Sequence, residues 1–288
     1  MSKGEYRMLI ETGLKGLSGR DSVADAVGKY LPSGKIGMKV NCLSRLNPTP
    51  VAMTEAIADV LVDTGFDEND IIIWERTSRE LEQAGYKLNA SSFGIRCLGT
   101  DANGYGYGQT FYSSGKVNSR ISRVLTDLID YNINLPVLKD HSIAGLSGCL
   151  KNMYGAVNNP NKYHGDNCDP YAADVSNLEP IKKRHRLSIV DATRIQYNGG
   201  PGFDSRYLFY YNGLVMSSDP VAADSICLEI LEHLRAEDNL PPLEKVGRPV
   251  NFLRTAEQEG VGVADRNLIE LNVINIGEDG RQSKGELF

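Results

Sequence analysis

The sequence predicts an α/β fold in which helices cover both faces of a mostly parallel, Rossmann-like sheet, and three observations support this. Short runs rich in Ile, Val and Leu alternate with segments of helical period along most of the chain. The run that begins at Ile71 is continuously apolar up to Trp74, which is typical of a strand buried on both faces. The order of strand and helix is that of right-handed βαβ units. We therefore expect one α/β domain over residues 1–288, with a smaller lobe or lid around 91–116 and a C-terminal extension over 240–288.

Capping and turn residues set the limits of the predicted elements in the first third of the chain. Thr49 is an N-cap candidate and Pro50 suits the first helical position, while Gly65 ends the same segment. Thr77 and Glu80 form a capping box. The elements predicted on this basis are a helix over 21–31, a strand over 35–43, a helix over 50–64, a strand over 71–76 and a short helix that begins after 77.

Residues 91–116 interrupt this pattern because they are rich in Gly and Tyr, and we interpret them as a loop or lid. Their 104–108 run lacks the spacing of a dinucleotide-binding turn. Regular elements then resume. They are predicted as a helix over 117–131, a strand over 133–138, a helix over 169–184, strands over 187–192 and 213–219, a helix from 220 to 237, and a last helix and strand near 254–259 and 268–276.

The composition limits the classes of partner. A net charge of -6 provides no basic surface for nucleic acid. No apolar run approaches the ~20 residues that span a bilayer, and the first residues lack the apolar core of a signal peptide. The 5 cysteines are scattered without a Cys-x-x-Cys pair, which disfavours a local iron–sulfur site. We therefore expect a soluble protein that binds a small molecule, without nucleic acid or membrane insertion, and we leave a homo-oligomer open.

Polar side chains are predicted at the carboxyl ends of several strands. Because the carboxyl ends of parallel strands share one edge of a sheet, and ligands bind there, these groups should converge on one pocket. They are Lys39, Asn41, Glu75, Arg76, His141, Asp191 and Asp219. Asp191 is expected to act in catalysis, whereas Asp219 precedes Pro220 and is interpreted as a helix cap.

The segment 139–164 contains the densest group of reactive side chains. His141 would transfer protons near neutral pH. Lys151 lies among small and apolar residues, where burial would lower its pKa and make it nucleophilic, and Asn152 would help to bind a ligand. His164 begins the run HGDNCD, which is rich in metal-capable residues but matches no standard metal spacing. A structural histidine, a solvated lysine and a polar turn are the alternative interpretations.

Four motifs of the chain resemble one family. They are KVN at 39–41, the whole of 139–164, IVDATRIQYNGGPGF at 189–203 and SSDPVAAD at 217–224. Together they resemble, over residues 35–260, the bacterial and archaeal family catalogued as domain of unknown function 362. The resemblance implies an α/β fold and no settled activity. Many members of that family are exported, which favours an exported mature form.

The order and spacing of a second set of residues are similar to the nickel-pincer lactate racemase family. They are the loop SRLNPTP at 44–50, His141, Lys151 ten residues later, and His164 downstream. The similarity implies that Lys151 carries a metal-containing nucleotide, that His164 binds a divalent metal such as nickel, and that His141 moves a substrate proton. Arg76 stands where that family has a second proton-shuttling histidine.

Two hypotheses of different classes follow. The first is an enzyme with a metal- or cofactor-dependent site at the carboxyl edge of the sheet, performing acid/base (isomerase-like) or redox chemistry on a small organic acid. The second is a non-catalytic binding protein for a small anion or a metal ion. The residues assigned are His141, Lys151 and Asp191 for catalysis, Lys39, Asn41, Arg76, Lys151 and Asn152 for cofactor binding, and His141 and His164 for metal.

Overall fold

Strands and helices alternate over residues 36–99, and runs of successive strands and successive helices follow. The computed structural model describes residues 1–277 and 280–288. Its helices α1 to α9 are Lys3–Ser18, Val23–Tyr30, Val51–Asp63, Ser78–Gln83, Cys149–Asn152, Tyr171–Asn177, Glu179–Arg184, Pro220–Glu237 and Phe252–Gln258. Its strands β1 to β13 are Ile36–Val40, Ile71–Glu75, Arg96–Gly99, Tyr107–Ser114, Val117–Ser122, Tyr131–Leu135, Val137–His141, Gly145–Ser147, His185–Gln196, Leu208–Phe209, Gly213–Ser217, Ile274–Ile276 and Gln282–Lys284.

The central sheet is mostly parallel. Its strands follow the order β3, β2, β1, β6, β9, β7, β8, and β10 and β11 also pair with β9. The pairings from β3 to β9, and that of β7 with β9, are parallel. Strands β8, β10 and β11 add antiparallel pairings, and β4 with β5 and β12 with β13 form separate small sheets. The predicted fold class is confirmed.

Successive side chains of β2 enter two apolar cores, one on each face of the sheet. Ile71 and Ile73 pack with residues of α1, α2 and α3. Ile72 and Trp74 pack with residues of α5 to α9. Because helices cover both faces, both sets of side chains are buried, and this explains why the strand is apolar from Ile71 to Trp74.

Two strands lie where one was predicted over 133–138. Pro136 has no N–H and interrupts the hydrogen-bond ladder, so β6 ends before it and β7 begins after it. Strand β9 pairs first with β6 and then with β7, and the N–H of Asp191 donates to the Pro136 carbonyl (2.8 Å). His141 is therefore the last residue of β7 and does not follow a single strand over 133–138 as predicted.

The predicted helix over 117–131 is wrong. Strand β5, a π-helical turn at Val124–Leu128 and the start of β6 occupy this segment. Its apolar residues recur at helical spacing, but β5 pairs with β4, and that pairing overrides the local pattern. The segment 91–116 likewise contains β3, which belongs to the central sheet, and β4.

Helix caps agree with prediction at α8 and differ at α3. Asp219 precedes α8 at Pro220, and its carboxylate accepts two backbone N–H groups of the first turn. Thr49 does not cap α3. Its hydroxyl donates to the Leu135 carbonyl (2.7 Å) and accepts from Asn41 N (2.8 Å), so it joins the loop after β1 to the end of β6.

Three further elements differ from prediction in their existence or extent. Helix α1 lies over a segment for which no element was predicted. Strand β9 extends past 187–192 to Gln196. The last predicted strand is reduced to β12, which pairs with β13 outside the central sheet. Across residues 1–277 and 280–288, no helix combines the length and apolar character needed to cross a bilayer.

Candidate ligand-binding and catalytic site

A cavity of about 150 Å³ lies at the carboxyl edge of the central sheet. The ends of β1, β2 and β7 form one side of it, and helix α5 with the turn at 160–164 forms the other. We call it the carboxyl-edge cavity. Every predicted site residue except Asp191 lines it, namely Lys39, Asn41, Arg76, His141, Lys151, Asn152 and His164.

Asp191 lies outside the carboxyl-edge cavity. It occupies the middle of β9, because that strand continues beyond the predicted end. Its carboxylate accepts from Thr193 Oγ1 (2.7 Å) and from the hydroxyl of Tyr6 (3.4 Å), and burial raises its pKa. Asp191 therefore links helix α1 to β9, and the prediction that it ends a strand beside His141 is wrong.

Lys39 forms a buried ion pair with Glu75 at the base of the cavity. The two side chains are 1% and 6% exposed, and Lys39 Nζ lies 2.6 Å from Glu75 Oε1. Glu75 also accepts from the backbone N–H groups of Cys42 (3.0 Å) and Arg76 (2.7 Å). The charge of Lys39 is thus balanced within the protein, which favours a structural role over ligand binding.

A network of amide side chains joins α5 to β1 and β6. Asn152 Nδ2 donates to Asn134 Oδ1 (2.8 Å), and its Oδ1 accepts from Asn41 Nδ2 (3.0 Å). Asn134 Nδ2 in turn donates to the Cys149 carbonyl (2.9 Å). Because these bonds use much of the capacity of Asn152, they favour a role for it in positioning helix α5.

Lys139 is a cavity residue that the sequence-based assignment missed. Its side chain is buried, and its amine donates to Asn41 Oδ1 (2.9 Å) and weakly to the Asn47 carbonyl (3.5 Å). Burial lowers the pKa of Lys139 to about 8. Alternation along a strand could have identified it, since Lys139 and His141 are two residues apart and point to the same face of β7.

His141 presents a fixed, neutral imidazole to the cavity. Its Nδ1 accepts from the backbone N–H groups of Ile143 (3.1 Å) and Ala144 (3.2 Å). Burial, and then the positive charge of Lys151, lower the pKa of His141 to about 3. The neutral ring must therefore carry its proton on Nε2, which makes His141 a hydrogen-bond donor near neutral pH.

Lys151 and His164 form a direct pair. Lys151 Nζ lies 3.1 Å from His164 Nε2 and 3.3 Å from the centre of the Tyr154 ring. His164 Nδ1 lies 3.0 Å from the Pro160 carbonyl, so Nδ1 donates and Nε2 accepts from Lys151. Burial lowers the pKa of Lys151 to about 8, and burial with the nearby Lys151 charge lowers that of His164. Since the pKa of the amine stays above that of the imidazole, Lys151 holds the shared proton in preference to His164.

Asp224 fixes the start of the helix that carries Lys151. It lies on α8, is fully buried, and accepts from the backbone N–H groups of Cys149 (2.5 Å) and Leu150 (3.0 Å). Burial raises the pKa of Asp224 to about 6. A side chain on Gly148 would collide with its carboxylate at 2.2 Å, so this glycine allows the close approach.

Arg76 lies at the mouth of the cavity with its charge paired. Its guanidinium contacts Glu80 one helical turn away, and its side chain is 34% exposed. Within residues 1–277 and 280–288, no carboxylate lies within ion-pair distance of Lys139 or Lys151. The unbalanced positive charge of the cavity thus comes from these two lysines, which favours an anionic ligand.

The side chains of the cavity do not fit a metal ion bound by the protein alone. In the described parts of the chain, no group of three His, Cys, Asp or Glu side chains is placed to hold one. Of the predicted ligands, neutral His141 has its proton on Nε2, and His164 Nε2 accepts from Lys151.

Fold and cavity together define a class of protein, an α/β domain with a lysine- and histidine-lined pocket at the carboxyl edge of its sheet. The family described as domain of unknown function (DUF362) matches residues 36–229. Since this is more than half of the chain, the protein belongs to that family. The more distant similarity to the lactate racemase family stays a prediction.

The chain also has a distant likeness to solved structures. One of them is the crystal structure of a Thermotoga maritima protein, with 10% sequence identity and a TM-score of 0.43, covering 78% of this chain. The match covers 59% of that protein, so this chain spans about three fifths of its length. No curated protein matches the sequence.

Proposed function

We propose that the carboxyl-edge cavity binds a small organic acid and exchanges protons with it, with Lys151 as the reactive amine. The observation that carries this proposal is the 3.1 Å contact between Lys151 Nζ and His164 Nε2 in a buried site. With its pKa lowered to about 8, a substantial fraction of Lys151 is neutral near physiological pH. A neutral amine can remove a proton from the carbon beside a carbonyl group.

Three N–H donors support binding of the acid. The ammonium group of Lys139 and the protonated fraction of Lys151 supply positive charge, and His141 Nε2–H supplies a hydrogen bond without charge. In a buried site these donors would also stabilise the negative charge that develops on the substrate oxygen when the proton leaves carbon. This favours isomerase-like acid/base chemistry. The metal-dependent part of the hypothesis stays a prediction, and proton exchange does not depend on it.

Hydrogen–deuterium exchange tests the proposal. The full-length chain would be incubated in D2O with a panel of small 2-hydroxy and 2-oxo acids, and loss of the carbon-bound proton would be followed by NMR. We expect exchange with the wild type, a loss of about 100-fold or more in Lys151→Met, and no change in Lys162→Met, an exposed lysine outside the cavity. Exchange that survives in Lys151→Met would refute the role of this amine.

A second candidate is a non-catalytic binding protein for a small anion. It is supported by the same unbalanced charge of Lys139 and Lys151, which requires only an anion and no reaction. The two candidates differ in one measurement. An acid that raises the midpoint of thermal unfolding by mass action, without any exchange of its carbon-bound proton, would favour binding alone.

A further inference from the structure

We infer a second ligand site, on the other side of helix α5 from the carboxyl-edge cavity. A second cavity of about 190 Å³ lies among β6, α5, α6, α7 and the start of α8. Its lining includes Leu150, Met153, Ser176, Lys182 and His185. None of these side chains takes part in the proposed proton exchange.

A buried hydroxyl in the second cavity lacks a partner. Ser176 is 5% exposed, and its Oγ makes no hydrogen bond in the described chain. Buried polar groups are nearly always hydrogen-bonded, so an unpaired hydroxyl that lines a cavity is a point where a bound group would find a partner. A ligand with a hydroxyl or carbonyl group beside Ser176 would satisfy it.

The charge of the second cavity favours an anion. Lys182 is exposed and donates to Asn177 Oδ1 (2.8 Å) and to the Gly260 carbonyl (3.1 Å), which leaves one N–H free of these two bonds. His185 is neutral because burial lowers its pKa to about 4. No carboxylate of the described residues lines this cavity. A carboxylate on the ligand would therefore meet the ammonium group of Lys182.

Apart from Asn134 and Ser218, the rest of the wall is largely apolar, and its volume limits the size of the ligand. Leu150, Met153, Ile181 and Val261 supply this surface. Apolar cavities of about 150 Å³ bind benzene, so the second cavity has room for a single ring with small substituents. The ligand class that combines these features is a hydroxy-substituted aromatic monocarboxylate, with the carboxylate at Lys182 and the ring between the apolar side chains.

Helix α5 separates the two sites. Cys149 and Leu150 line the second cavity, whereas Lys151 and Asn152, which follow them directly, line the carboxyl-edge cavity. A ligand bound in one cavity therefore need not contact the residues that line the other cavity. Disabling Lys151 tests the two proposals separately.

Titration calorimetry with 4-hydroxybenzoate as the probe tests the second site on the full chain. We expect saturable binding to the wild type and to Lys151→Met. Lys182→Met should weaken binding by about two- to fivefold, the range of an exposed ion pair, and the neighbouring Lys183→Met should not. Phenol, which has no carboxylate, should bind wild type and Lys182→Met equally. Ser176→Leu fills the cavity and should abolish binding.

Three outcomes would overturn the inference. They are no saturable binding to the wild type, binding that is lost in Lys151→Met, and binding that persists unchanged in Ser176→Leu. If Ser176→Leu does not fold, Val261→Trp replaces it. Val261 is partly exposed, so a larger side chain there can fill the cavity without entering the core. Unchanged binding to a folded Val261→Trp would count equally against the site.

Discussion

Replacing Glu75 by Gln tests whether its buried ion pair with Lys39 stabilises the base of the carboxyl-edge cavity. Glu75 accepts from Lys39 Nζ (2.6 Å) and from the backbone N–H groups of Arg76 (2.7 Å) and Cys42 (3.0 Å). In Glu75→Gln the ammonium group loses its counter-charge. The new amide NH2 also has to face a group that previously donated to the carboxylate.

We expect Glu75→Gln to lower the free energy of unfolding by about 3–5 kcal/mol, because removing one partner of a buried pair leaves the other charge uncompensated. The matched control is Glu80→Gln, which removes a partly exposed pair with Arg76 and should cost about 1 kcal/mol or less. At roughly 2–4 °C per kcal/mol for chains of this size, the midpoint of thermal unfolding should fall by about 6–20 °C in Glu75→Gln.

Urea unfolding followed by circular dichroism would measure both variants against the wild type. A double variant, Lys39→Met with Glu75→Leu, should recover most of the loss, since apolar residues of similar volume often replace a buried ion pair without cost. If Glu75→Gln costs no more than Glu80→Gln at an unchanged denaturant slope, the charge of Lys39 needs no partner and the ion pair does not stabilise the cavity base.

Three further outcomes follow from the cavity. Affinity for a small organic acid should fall as pH rises through about 8, because Lys139 and Lys151 lose their protons there. The fall should be up to about tenfold per pH unit for each lysine. An affinity that stays constant in calorimetry across this pH range would contradict the expectation. His141→Gln retains an N–H donor and should bind the acid about five- to tenfold more tightly than His141→Ala, and neither should alter that pH profile, because the pKa of His141 is lowered to about 3. Burial raises the pKa of Asp224 to about 6, so the folded state holds this proton more tightly than the unfolded state does. The free energy of unfolding of the wild type, relative to that of Asp224→Asn, should therefore fall by up to about 3 kcal/mol as pH rises from ~4 to ~6. If urea unfolding shows the same pH dependence of stability for both proteins, the expectation is wrong.

The fold was largely predictable because local patterns of apolar residues identify many of its strands and helices. Apolar runs and helical periods identified β1, β2, α3 and α8, and their order implied a parallel sheet. Errors occurred where a distant partner decides the structure. The segment 117–131 has helical spacing, but β4 pairs with it and makes its first part a strand. Pro136 divides one apolar run into two strands, and β9 pairs with both of them.

The candidate site was likewise predictable where it depends on neighbours in sequence and not where it depends on distant residues. His141, Lys151 and His164 lie within one segment, so their grouping could be inferred from spacing, and the structure places all three on one cavity. The pairing of Lys39 and the position of α5, in contrast, depend on groups far away in sequence. The counter-charge of Lys39 is Glu75 on the next strand, and the support for α5 comes from Asp224 on α8.

Local sequence thus determined which reactive side chains this protein carries and on which kind of element each lies. Tertiary structure decided which of them are charged, paired or free. It paired Lys39 with Glu75, placed Asp191 against helix α1, and left Lys139 and Lys151 buried without a carboxylate partner among the described residues. The physical reason is that burial and the distance to the nearest opposite charge set a pKa, and both arise only when strands and helices distant in sequence pack together.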